Sequence, residues 1–180
     1  RKQLNFWSEQ RSLIKIGGAN RPKDTTPKHI WIKNLEIRNS RPPFTYTGRH
    51  RSGAYEFQSA GIFIEKGEHI RISHCTIHNN GNGVMSSWFS RFLTVEHCYI
   101  HSNGVAKNGL AHNCYISGIG ALFQYNRFGP QRPGCLGVNF KSRAARTVLR
   151  YNWIEGGKRC VNIVDTHTQA VMDDPGYRDT

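Results

Sequence analysis

Lys141, Arg143, Arg146 and Arg150 fall within ten positions, and no acidic residue follows Lys141 until Glu155. Amide and phenol side chains recur at related positions of the chain, in Asn139, Asn162 and Tyr115. This combination suits β-elimination on an acidic sugar. The C5 proton of a uronate is weakly acidic. Its removal needs the adjacent carboxylate neutralised by cations or strong donors, a base for the proton, and an acid for the departing oxygen. Lys141, with Arg143 and Arg146 nearby, is the candidate base, because neighbouring cations depress a lysine pKa. Arg143 can hold the carboxylate through two parallel N–H donors, and Asn139 can add a third. Tyr115 or His112 is the candidate acid or second base, and Asn162 and Asp165 complete the predicted binding set. The alternative is a solvated face with an asparagine ladder and ordinary strand-end charges.

Hydrolysis fits less well. A glycosidase needs two carboxylates roughly 5 to 9.5 Å apart. The strand family that carries Lys141 offers Glu65 and Asp165, four rungs apart, or about 19 Å at the usual strand spacing.

The elements that must position these residues are legible as a repeat. "HIWIKNLEIRNS" at 29, "HIRISHCTIHNN" at 69, "FLTVEHCYIHSN" at 92, "ALFQYNRFGPQ" at 121 and "TVLRYNWIEGG" at 147 share alternating apolar positions. In register, Ile37, Ile77, Ile100, Phe128 and Ile154 coincide, as do Cys75 with Cys98 and Asn126 with Asn152. A second strand family lies between them. Aligning Ile62, Val84, Cys114, Val138 and Val161 gives spacings of 22, 30, 24 and 23 residues. Two strand families per repeat with no amphipathic helix between them predict an all-β, right-handed parallel β-helix of about five to six rungs. Propeller blades would need about 40 to 45 residues, and no leucine framework is present.

Side chains of such a coil alternate inward and outward. The predicted inward columns are Ile62, Val84, Cys114, Val138, Val161 and Ile64, Ser86, Ile116, Phe140, Ile163. The predicted outward columns are Phe63, Met85, Tyr115, Asn139, Asn162 and Glu65, Ser87, Ser117, Lys141, Val164. Residues 1–180 are read as one domain. The segment 41–60, with two prolines and several rings, reads as a loop insertion of the kind that lines binding grooves.

Composition narrows the partners. Lys and Arg number 25 against 12 Asp and Glu, giving +13 and a pI near 9.9. That excess points to a polyanion, and an acidic polysaccharide fits better than nucleic acid because no nucleic-acid module or basic-aromatic interleaving is evident. Five cysteines without a C-x-x-C pair read as small core residues rather than a zinc site or disulfide framework. No apolar run is long enough to span a membrane. A monomer without cofactor is expected, and calcium is not indicated. The chain begins without Met or a signal peptide, which reads as a processed chain or part of a longer one.

The stretches "HIWIKNLEIRNSRPPF", "AGIFIEKGEHIRISHCTIHNNGNGV", "HNCYISGIGALFQYNRFGP" and "KSRAARTVLRYNWIEGG" with "VNIVD" resemble a bacterial family of right-handed parallel β-helix proteins, pectate-lyase-like in fold and described as polysaccharide-degrading. The resemblance covers about Pro27 to Asp165. It implies a secreted or periplasmic protein acting on polysaccharide, most simply a lyase using Lys or Arg as base, which suits Lys141. Hydrolases, epimerases and non-catalytic adhesion or carbohydrate-binding solenoids share the fold. The family tends to place an acid after the lysine and another where Asn162 stands. This chain has Ser142 and Asn162 instead, which removes the carboxylates that calcium would need.

Overall fold

Runs alternating apolar with polar residues can bury one face only by stacking on like runs, and this chain stacks them in parallel. The computed structural model describes residues 3–4, 8–18 and 26–178. Most of its strands coil around one core as three faces. The first two faces are arms of a nine-stranded sheet. The first arm contains Ser12–Ile16, the leading halves of Ala60–Ser73 and Asn82–Glu96, then Cys114–Ile116, Phe140–Ser142 and Val161–Ile163. The second contains Trp31–Lys33, the trailing halves of the same two long strands, Ile119–Gln124 and Val148–Arg150. Between the arms a register shift at Ile64/Lys66 bends the long strands. The third face is a separate five-stranded sheet of Glu36–Arg38, Thr76–His78, Tyr99–His101, Arg127–Phe128 and Trp153–Ile154.

The register of the third face matches the repeat: Ile37, Ile77, Ile100, Phe128 and Ile154 are successive partners. On the first arm Ile62, Val84 and Cys114 align as expected, but the next partner is Phe140, not Val138, followed by Val161. A two-residue shift keeps every side chain on its face, so apolar alternation cannot distinguish the two registers. The corner before the strand decides it. Asn113 and Asn139 each precede the first residue of their strand, and Asn113 Nδ2 donates to Asn139 Oδ1.

That bond belongs to an internal ladder. Ser40 donates to Asn80 Oδ1, Asn80 to Asn103 Oδ1 and Asn103 to Asn113 Oδ1, each through backbone N–H and, for Asn80 and Asn103, the side-chain amide at 2.9–3.0 Å. The remaining amide protons reach the carbonyls of Ile37, Ile77 and Gly129. At the corner between the second and third faces a mixed ladder does the same work: Cys98 N–H donates to Asn126 Oδ1 and Asn126 to Asn152 Oδ1. Turn backbone that cannot join a sheet is thereby satisfied inside the coil.

Outside this second corner, His74, His97, Tyr125 and Tyr151 all adopt positive φ near 50–55°, and their rings stack at 4.9, 5.1 and 5.2 Å. Within the coil, Phe123, Phe128 and Phe140 meet edge-on or tilted and are fully buried. Cys75, Cys98 and Cys114 are buried free thiols, as the core reading requires; Cys135 is half-buried and Cys160 exposed, so that reading does not extend to them.

The 41–60 insertion contains a short hairpin. Thr45–Thr47 and Ser52–Ala54 form an antiparallel hairpin, anchored by buried Tyr46 and Tyr55, whose rings lie 5.1 Å apart. Past the last strand the chain turns back in two short helices, Gln169–Met172 and Pro175–Arg178. Val171 is buried there, and Asp174 pairs with Arg91 at 2.6 Å.

Candidate functional site

Outward positions of the first arm line up in register as Lys15, Phe63, Met85, Tyr115, Lys141 and Asn162. Strand spacing puts successive members about 4.8 Å apart. Phe63, Met85 and Tyr115 form the floor of a cavity of about 210 Å³, walled by Trp88 on one side and by Arg143 and Thr166–Thr168 on the other. A second cavity of about 160 Å³ shares Phe63 and Met85 and is lined by Arg11, Glu56, Gln58 and Ser59. Together they make a groove along the first arm, and the end of the 41–60 segment does line it. The wall at 166–168 is held by the backtracking tail, where Thr166 N–H donates to Tyr177 Oη at 2.8 Å.

The corrected register brings Lys141 closer to its predicted partners, directly between Tyr115 and Asn162. Its Nζ lies 5.0 Å from the Tyr115 ring centre. Burial, then the charges of Arg143 and Arg159, hold its pKa below the ordinary lysine value. No carboxylate of the described residues ion-pairs with it.

Arg143 lines the groove, but Nη1 donates to the carbonyl of Asp165, and Nε is buried without a partner among the described residues. Asp165 therefore contributes its backbone to Arg143, while the residue itself is exposed beside the open end of the coil. Asn162 is half-buried, next to Lys141.

Two predicted residues lie elsewhere than expected. Asn139 does not point outward with Lys141. It is fully buried in the ladder, donating to the carbonyls of Glu155 and Gly156 at 2.7 and 2.8 Å, so it presents nothing to a ligand. The corner turns its side chain inward one residue before strand alternation begins. His112 is also buried, at 1 % exposure. Its Nδ1 accepts the Val138 N–H at 2.9 Å, which leaves the proton of the neutral ring on Nε2, and Nε2 has no partner among the described residues. Burial, then Lys141 and Arg159, lower its pKa to about 4. Its ring meets Tyr115 edge-on at 5.4 Å. His112 thus buttresses Tyr115 from behind.

The repeat gave no sign of Trp88 or of the 166–168 wall, because both depend on bends and a tail outside the alternating pattern. Glu65 is tied to Lys15 at 2.6 Å and Arg11 at 3.3 Å, far along the groove from Asp165. No three His, Cys, Asp or Glu side chains among the described residues converge as metal ligands, and no helix there is long and apolar enough to cross a membrane.

Stacked parallel strands, internal ladders and an outward groove on one arm define a β-solenoid. The chain belongs to the right-handed β-helix family: the model for the right-handed beta helix region matches residues 18–174. No curated protein and no solved structure matches it.

Proposed function

We propose that this solenoid binds an acidic, uronate-containing polysaccharide along the first arm and cleaves it by β-elimination. The observation that carries this reading is Lys141. It is an outward lysine with lowered pKa, set between a phenol and an amide one rung beyond the Tyr115 floor of the groove, and no carboxylate of the described residues pairs with it. The sugar faces rest on Met85 and Tyr115. Arg143 and Asn162 draw in the uronate carboxylate and stabilise the charge that develops as the C5 proton leaves. Neutral Lys141 takes that proton, the C4–O bond breaks as the C4–C5 double bond forms, and the Tyr115 phenol protonates the departing oxygen. His112 is too buried to touch substrate and acts by holding Tyr115. Action on such a polymer fits a protein working outside the cytoplasm.

A non-catalytic binding solenoid is the second reading, and one observation favours it. The Tyr115 ring under the Lys141 ammonium stabilises the charged form, which opposes its use as a base. Incubation with alginate, pectate and glycosaminoglycans, followed by ultraviolet absorbance of unsaturated uronate, separates the two. Product from one of these supports the lyase, whereas retention without product leaves binding alone.

A further inference from the structure

Arg41 and Arg132 converge on a single neutral acceptor. Arg41 donates to Asn79 Oδ1 from Nε at 2.9 Å and from Nη2 at 2.8 Å, and Arg132 Nη1 donates to the same oxygen at 2.7 Å. The two guanidiniums therefore lie within a few ångströms of each other. Arg41 is 9 % exposed, with Nη1 turned to the Pro42 carbonyl and its plane over the Phe44 ring at 5.0 Å. Neither arginine ion-pairs with a carboxylate of the described residues. Burial, then the charge of Arg132, lowers the Arg41 pKa, which is the mark of a cation short of a counter-charge.

The surrounding structure holds this arrangement in place. Asn79 sits at φ 57° at the corner leaving the third face, and its amide donates to Asn39 Oδ1. Ser40, beside Arg41, begins the internal ladder, and Arg132 N–H is fixed to the Asn103 carbonyl at 3.0 Å. One amide oxygen can accept these N–H groups but cannot neutralise two charges. Beyond these and the Arg41 Nη1 bond to the Pro42 carbonyl, the guanidinium N–H groups have no protein acceptor among the described residues, and half-buried Arg132 leaves the pair open to solvent. Paired guanidinium forks match the oxygens of a carboxylate, sulfate or phosphate.

We infer that Arg41, Asn79 and Arg132 form an oxyanion-binding site at the corner between the third face and the first arm. None of the three lines the groove, so this site stands whether or not the groove is catalytic. Its ligand is a carboxylate, sulfate or phosphate group, free or carried on a larger molecule.

Thermal unfolding tests it, measured in chloride and, at matched ionic strength, in sodium sulfate, phosphate and glucuronate. Excluded salts stabilise any fold, so the readout is the increment over Arg132→Gln, a half-exposed change that leaves the core alone. The wild type should gain about 2–4 °C more than Arg132→Gln in at least one oxyanion. A gain confined to sulfate and phosphate assigns a tetrahedral anion, and a gain in glucuronate assigns a sugar carboxylate. Asn79→Asp supplies the missing charge internally, with the Asn39 amide able to turn and donate to it. That variant should melt higher than wild type in chloride and lose the specific increment. Equal increments in wild type and both variants would overturn the site.

Discussion

Lys141 and His112 show how burial, reinforced by nearby cations, acts on two neighbouring groups. Burial and the nearby arginines push the Lys141 pKa down, so the neutral base is populated at lower pH than for a free lysine. If it is the base, kcat/KM should rise with pH and level off below the ordinary lysine range; a flat profile would contradict that role. His112 is depressed to about 4 from 6.5. Its neutral form is favoured by the fold, so its contribution to stability is complete above about pH 6.5. That contribution is lost as pH falls through 4, and the shift corresponds to on the order of 3 kcal/mol. Urea unfolding at pH 7.5 and pH 4.5 should show a smaller acid loss in His112→Gln than in wild type. An unchanged loss would mean that other groups govern the acid response.

At the scale of elements, the ladder is what specifies the coil. In Asn103→Ala the Asn80 amides lose their acceptor, and the Ile77 carbonyl and Asn113 Oδ1 lose a donor, all in the interior. The expected cost is on the order of 3 kcal/mol, read as a lower urea midpoint at unchanged slope. Asn162→Ala, on the outer face, should stay within about 0.5 kcal/mol while weakening glycan binding. The contrast marks what the sequence could and could not disclose. Ile37, Ile77, Ile100, Phe128 and Ile154 were readable because period-two burial repeats on every rung. Lys141, Tyr115 and Asn162 were readable as outward neighbours for the same reason. Asn139 was not, because a corner reverses its direction where alternation carries no information. A two-residue register shift, to which alternation is blind, let Val138 stand in for Phe140. Trp88 and Thr166–Thr168 reach the groove through a bend and a returning tail, which are tertiary events without a local pattern.

At the scale of the molecule, the excess of 25 basic over 12 acidic side chains is a long-range field over the groove and the Arg41–Arg132 corner. Binding to an anionic polysaccharide should weaken steadily with salt, since the screening length falls from about 10 Å at 0.1 M to about 3 Å at 1 M. Equal retention on neutral and acidic polysaccharide columns would contradict this. In the proposed reaction the groove adds shape, the basic end adds chemistry, and turnover rests on Lys141. The most direct test compares wild type with Lys141→Ala on whichever acidic polysaccharide yields unsaturated uronate, with the fold checked by melting temperature. Lys141→Ala should melt within a few degrees of wild type and lose activity by roughly a hundredfold or more. Unchanged turnover in a folded Lys141→Ala protein would contradict the assignment of the base.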